Sequence, residues 1–277
     1  MKLSCAQLWP RIGELDSNRR RAASAVSAAA ADGAALIVLP ELCVSGYVFR
    51  DAGEARELAE PIDGPTVEGW REQSVREEIA IVGGVCELDD DGLIRNSAVL
   101  IEAGELLAVY RKLHLWDREK LVFTPGDDPP PVVETSLARV GVGICYDSQF
   151  PEAMRMLALA GAEVIAVPTN NPVVGPELAP LPGELLLAST TAMVNRVYVA
   201  QADRTGLERG VQWVGATAIA APTGRLLTDR VRGEGLVSAD IDPALARDKQ
   251  LGEHNDALSD RRPELYGAIA APLPALD

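Results

Sequence analysis

Short apolar runs alternate with stretches of helical period along this chain. Lys2 to Leu8, KLSCAQL, reads as a buried strand. Residues 17–32, SNRRRAASAVSAAAAD, read as a helix with Ser17 as its N-cap and Gly33 after its end. Residues 34–40, AALIVLP, form a β-branched run suited to a fully buried strand. A polar, periodic segment at 65–78 predicts a helix, and IAIVGGV at 79–85 predicts another buried strand. NSAVLIE and ELLAVYRK flank Ala103-Gly104, which reads as a hairpin turn. TPGDDPPP at 124–131 then interrupts the chain near its middle.

The second half follows the same plan. RVGVGIC (139–145) predicts a strand, and PEAMRMLALA (151–160) a helix with Pro151 in the first turn. EVIAVPT (163–169) and VYVAQAD (197–203) predict strands around a helix at 184–196, and ATAIAAPTGRLLTD (216–229) predicts a hairpin around Thr223-Gly224. DGAALIVLPE (32–41) and AGAEVIAVPT (160–169) share their pattern, including the proline. We read an internal duplication. Two such halves, each a mixed sheet with helices on one face, bury their bare faces against one another, giving an α/β, four-layer α-β-β-α sandwich. This is favoured over one doubly wound sheet. The whole chain, 1–277, reads as one domain, with a polar, Pro-rich C-terminal extension from about residue 240.

Composition narrows the functional classes. Lys and Arg total 26 against 41 Asp and Glu, a formal net charge of −15. Nucleic acid and anionic membranes are poor partners for such a surface, because binding them relies on cations that neutralise phosphate. No run of apolar residues predicts a transmembrane helix, and the first twenty residues do not resemble a signal peptide. Four cysteines at 5, 43, 86 and 145 show no metal-knuckle spacing, so reduced thiols of a cytoplasmic protein are expected. Only His114 and His254 could supply imidazole, which disfavours a metal site.

Several residues could carry chemistry. Cys145 ends a strand and precedes a helix, where ligands bind in open sheets and where a helix dipole favours thiolate. Glu41 closes the strand AALIVLP, in the place Thr169 holds in the other half, and burial there would raise its pKa toward that of a general base. Lys112 lies in AVYRKLHLW and could donate to an oxyanion. Strand alternation would put His114 on the same face, available to Cys145 as a dyad partner. Glu119 follows in WDREKLVFTPG. Taken singly, each also has an ordinary role: a buried thiol as a small hydrophobe, solvated loop acids, a snorkelling lysine, a structural histidine.

Three blocks taken together are more specific. LPELCVSGY (39–47), YRKLHLWDREKLVFTPG (110–126) and GICYDSQFPE (143–152) resemble the signature blocks of the nitrilase superfamily of carbon–nitrogen hydrolases. NRVYVAQADR (195–204) and WVGATAIAAPTG (213–224) resemble the second half of that family. The resemblance implies the four-layer sandwich, an oligomer built on dimers, and a Glu–Lys–Cys triad with no metal or organic cofactor. Carried over by position, Glu41 is the base, Lys112 the oxyanion lysine and Cys145 the nucleophile, with Glu119 as the further family glutamate. The backbone N–H of Tyr146 and the side chain of Asn170 are expected at the oxyanion and substrate.

The CYD after the nucleophile resembles amidase-like branches more than the CWE of true nitrilases. Relatives that act on N-carbamoyl amino acids or dicarboxylic monoamides often carry arginine where Ser148 and Gln149 stand here. The expected reaction is therefore hydrolysis of a small neutral or cationic amide to acid and ammonia through a thioester. The alternatives are a nitrilase or N-carbamoyl-amine hydrolase with the same triad, and a catalytically idle binding protein of the same fold. The loop 171–186 is expected to shape the pocket.

Overall fold

The computed structural model describes residues 1–175 and 181–271. Two sheets carry the structure. The first is built from β1 (Lys2–Gln7), β2 (Ala34–Val38), β3 (Ala80–Leu88), β4 (Ile94–Glu102) and β5 (Glu105–Arg111), in that spatial order. The second contains β6 (Val132–Glu134), β7 (Arg139–Val142), β8 (Val164–Pro168) and β9 (Tyr198–Ala202). A small hairpin, β10 (Leu207–Glu208) and β11 (Val211–Gln212), precedes β12 (Ala218–Ala220), which pairs antiparallel with β9. β1–β2–β3 and β7–β8–β9 are both parallel trios. This repeated core is the duplication expected from the sequence.

Alternation along each strand decides the layers. Leu36, Val38, Ala80 and Val82 of the first sheet meet Val140, Val142, Val164 and Ala166 of the second in one central core. The intervening Ile37 and Ile81 face the opposite way, against α1 (Leu15–Ala31) and α3 (Pro65–Glu77), with α2 (Ala52–Leu58) between these helices in the chain. Likewise Ile165 and Val167 face α4 (Pro151–Leu159) and α5 (Gly183–Asn195). A strand with both faces covered must be apolar throughout, which accounts for the uninterrupted runs in β2 and β8. The result is the four-layer α-β-β-α sandwich.

Three local expectations need correction. The first helix begins at Leu15, so Ser17 lies inside it and Glu14 is the N-cap. Asn18 instead secures the entry: its Oδ1 accepts from Arg11 N–H at 2.9 Å, and its Nδ2 donates to Val44 O at 2.7 Å. The hairpin at Thr223-Gly224 returns through a single bridge, Ala220 to Leu226. The chain then crosses to the first sheet, where β13 (Gly235–Asp240) pairs antiparallel with β1. This covers an edge that would otherwise expose unpaired backbone groups. Finally, β5 stops at Arg111, so Lys112 and His114 are not governed by strand alternation.

The loop after β2 lies directly on β3. Leu39 N–H donates to Val82 O at 2.8 Å, and Cys43 N–H to Gly84 O at 3.2 Å. A Cβ on Gly84 would stand 2.5 Å from the Glu41 Cα and 2.6 Å from the Leu42 nitrogen. Only glycine permits this approach. Gly84→Ala should lower the unfolding free energy by about 1–3 kcal/mol. Urea denaturation checks this, and an unchanged midpoint would show that the loop yields freely.

Candidate active site

Glu41, Lys112, Glu119 and Cys145 are all brought to one end of the sandwich. Glu41 follows β2, and Cys145 follows β7 after Gly143-Ile144. Both stand beyond the carboxyl ends of parallel strands, where helix and loop connections open a crevice. Lys112 is held on two sides. Its N–H donates to Asn96 O at 2.9 Å, and its carbonyl accepts from Gly126 N–H at 2.9 Å. A Cβ on Gly126 would lie 2.2 Å from Arg111 O, so the TPG segment can pack here only with glycine at that position.

The Lys112 ammonium lies between two carboxylates, 2.7 Å from Glu41 Oε1 and 2.9 Å from Glu119 Oε1. All three residues are buried. Neutral donors complete the cluster. Asn96 Nδ2 donates to Glu41 Oε1 at 2.7 Å, Trp116 N–H to Glu119 Oε2 at 3.0 Å, and the Tyr47 hydroxyl to Glu119 Oε1. Glu41 Oε2 is buried and has no hydrogen-bond partner among the described residues.

These contacts set the protonation states. Burial pushes the Glu41 carboxyl up to about 7; the Lys112 ammonium opposes this and the Glu119 charge adds to it. Burial works against the Lys112 ammonium, but Glu119 and Glu41 hold its pKa well above the usual lysine range. Burial, and then the Glu41 carboxylate, raise the Cys145 thiol well above its ordinary value against the pull of Lys112. The expectation of a thiolate favoured by a helix dipole is therefore corrected. α4 begins only at Pro151, and Cys145 instead opens a 3-10 turn, Cys145–Gln149. The sulfur is therefore held toward its protonated form.

The turn itself is constrained. Cys145 has φ = 44°, in the left-handed region that costs a non-glycine residue about 1–3 kcal/mol. Asp147 closes the turn: its Oδ2 accepts from Ile144 N–H at 3.0 Å and from the Tyr110 hydroxyl at 2.8 Å. Its Oδ1 lies 2.8 Å from His114 Nδ1. His114 also stacks on Phe150, with ring centroids 3.7 Å apart. His114 is thus committed to Asp147, and the dyad with Cys145 does not form. Asn170 Nδ2 donates to Glu41 O at 2.8 Å, and Asn170 O lies 3.7 Å from Cys145 Sγ. Asn170 therefore joins the two strand ends. Tyr146 is half-buried, with its ring packed against Trp116 at 4.9 Å.

Residues 2–250 match the carbon–nitrogen hydrolase family. The chain belongs to that family. A protein of Pyrococcus abyssi named nitrilase is 38% identical over 96% of this chain and 99% of its own length. An (R)-stereoselective amidase of a Pseudomonas species is 33% identical over 96% of this chain and 93% of its own. A variant of the amidase from Nesterenkonia sp. AN1 superposes with a TM-score of 0.79 at 28% identity, covering 96% of this chain and 95% of that one. That structure shows covalent addition of the acetamide moiety of fluoroacetamide at the active site cysteine.

In this carbon–nitrogen hydrolase a cavity of about 320 Å³ adjoins the cluster, with Glu119 and Tyr47 in its wall. Tyr47 was not singled out by sequence reasoning, although it ends the block LPELCVSGY. Of the loop 171–186 expected to shape the pocket, Pro172 and Val174 line this cavity, and residues 176–180 lie outside the described residues. No group of three or more His, Cys, Asp or Glu suited to a metal ion occurs among the described residues, and no described helix is long and apolar enough to cross a membrane.

All four cysteines are free, and burial raises the thiols of Cys5, Cys43 and Cys86. Among the described residues, Cys145 alone of the four has both a buried carboxylate and an ammonium acting on it. Iodoacetamide at neutral pH should alkylate Cys145 once per chain, with the other thiols untouched. Peptide mass spectrometry checks this; equal labelling of all four would show that the surroundings of Cys145 confer no reactivity.

Proposed function

We propose that this carbon–nitrogen hydrolase cleaves a primary carboxamide to its acid and ammonia, with Cys145 as nucleophile. The observation that carries the reading is the meeting of one thiol, one ammonium and one carboxylate with a free oxygen in a closed site. Glu41 Oε2 takes the thiol proton as Cys145 Sγ attacks the carbonyl carbon. Lys112 has three N–H donors, of which two are given to Glu41 and Glu119; the third is left for the oxyanion. Tyr146, near the start of a 3-10 turn where backbone N–H groups lack partners within the turn, supplies a second donor.

Collapse of the tetrahedral species breaks the C–N bond, and the proton on Glu41 goes to the leaving ammonia. The thioester is then attacked by water, with Glu41 again as base. Glu119 holds the Lys112 ammonium in place, and Tyr47 holds Glu119. Asn170, whose amide nitrogen is taken by the Glu41 carbonyl, has a positioning role. No step in this sequence calls on a metal or organic cofactor. The second reading, a nitrile substrate, is favoured by the name of the Pyrococcus abyssi relative, since the same thiol attacks either group. Four free thiols suit a cytoplasmic enzyme.

A panel of amides, nitriles and N-carbamoyl compounds scored for ammonia decides among these. Amides should be turned over, with an acyl adduct on Cys145 visible by intact-protein mass spectrometry. Cys145→Ala should abolish turnover while keeping the folded circular dichroism. Lys112→Met should cost about 10²–10³-fold or more in kcat. The rate should rise with pH through about 7, because Glu41 acts in its deprotonated form. A nitrile preference, or ammonia release by Cys145→Ala, would overturn the assignment.

We propose further that the enzyme is a homodimer or a higher oligomer built on dimers. Met156 and Leu159 of α4 and Leu186 and Met193 of α5 are exposed on the outer helical layer, at 42%, 46%, 45% and 49%. An apolar group of this kind marks a contact surface. Sedimentation should give at least a dimer, and Leu159→Glu with Met193→Glu should dissociate it. A monomer at micromolar concentration would refute the proposal.

A further inference from the structure

Aromatic residues are scarce in this protein, with three Phe, four Trp and five Tyr among 277 residues. Five of the twelve, namely Tyr47, Phe49, Trp116, Phe123 and Trp213, line the cavity of about 320 Å³ beside Glu119. Their rings pack edge to face: Tyr47 on Trp213 with centroids 5.1 Å apart, and Phe49 on Phe123 at 5.8 Å. Nearly half of the chain's aromatic residues thus stand around this cavity, while Trp70 and Tyr198 are buried in the core elsewhere.

The wall is also fixed from behind. Arg204 is fully buried, and its guanidinium lies over the Trp213 ring, 4.5 Å from the centroid. Glu208 forks onto Arg204, with Nη2 to Oε1 at 2.8 Å and Nη1 to Oε2 at 3.1 Å. The same Glu208 Oε2 accepts from Tyr47 N–H at 3.0 Å and Val48 N–H at 2.7 Å. One buried ion pair from the second half thus sets both the Trp213 face and the Tyr47 backbone. Removing either partner of such a pair leaves an uncompensated charge, so the wall has little freedom to rearrange.

The charges of the cavity point the same way. Glu119 and Asp117 are both acids, and the Glu119 charge is engaged with Lys112. Arg118 is an exposed cation that donates to Arg50 O at 3.2 Å. A substrate carboxylate would lie beside two acids with only this solvated guanidinium to receive it. A flat apolar group would instead meet ring faces and edges, the geometry in which aromatic contacts are favourable. The volume stands at the lower end of small-molecule pockets, enough for one ring and a short tether.

We infer that the acyl part of the substrate is apolar and of about phenylacetyl size, and that Trp213 is the residue that selects for it. The inference rests on the amide reading above and specifies its substrate class. Its test is the ratio of kcat/KM for phenylacetamide to that for acetamide, with succinamic acid as the charged competitor. In the native enzyme phenylacetamide should exceed both by at least about tenfold, the scale on which apolar pockets discriminate. Trp213→Ala should reduce the phenylacetamide-to-acetamide ratio by about tenfold, and Trp213→Phe should retain most of it. A higher kcat/KM for acetamide or succinamic acid, or an unchanged ratio in folded Trp213→Ala, would overturn the inference and leave the amide reading standing. If no amide releases ammonia, the amide reading fails instead. Calorimetric titration of phenylacetamide into Cys145→Ala then decides the cavity separately: saturable binding weakened about tenfold by adding Trp213→Ala supports the aromatic site, and no binding overturns it.

Discussion

A single lysine ammonium enclosed with two carboxylates is the constraint around which the site is organised. Glu41, Lys112 and Glu119 are withdrawn from water, and their formal charges do not cancel. Burying an unbalanced charge is costly, and the protein meets that cost in two ways. Neutral donors from Asn96, Tyr47 and the Trp116 backbone surround the acids, and the Glu41 carboxyl is poised to hold a proton near neutrality. Lys112 is prevented from losing its own proton by the carboxylates that flank it. The electrostatic imbalance therefore leaves a carboxyl with a raised pKa beside a permanent cation, next to a thiol whose own pKa burial and Glu41 hold up.

Such a cluster requires exact placement from chain segments far apart in sequence, and each placement crosses between the halves or between sheet and loop. Asn170 from the second half holds the backbone of Glu41 in the first. Asp147, two residues beyond Cys145, receives Tyr110 and His114, which flank Lys112 in the chain. The Arg204–Glu208 pair reaches back to the backbone at Tyr47, whose hydroxyl ends on Glu119. The interface between the halves is thus more than hydrophobic closure of two sheets. Its polar rim holds the reactive groups in register.

Backbone permissiveness is used sparingly for the same end. Gly84 lets the Glu41 loop lie on β3, and Gly126 lets the TPG segment lie against Arg111. Cys145 adopts a left-handed φ without being glycine, and Asp147 holds the turn that keeps it there. The strain lies at the reactive residue, where a fixed sulfur position is worth more than local comfort.

The sequence by itself determined the alternation that builds two parallel trios, because strands covered on both faces must be apolar throughout, as AALIV and VIAVP are. It also carried Glu41, Lys112, Glu119 and Cys145, since these residues stand in three separate blocks resembling one family. It could not place β13, because a strand of mixed polarity gives no sign of which sheet edge it will join. It misplaced His114, because alternation was extended past the end of β5, and its partner Asp147 lies 33 residues away. The helix-dipole argument for Cys145 failed because a 3-10 turn separates it from α4. Tyr47, Trp213 and Arg204 stand at the ends of family-like blocks, but nothing local in those blocks says what each side chain touches. Their roles arise from contacts between distant segments, and the protonation of Glu41 likewise depends on burial and on neighbours that only the folded chain supplies.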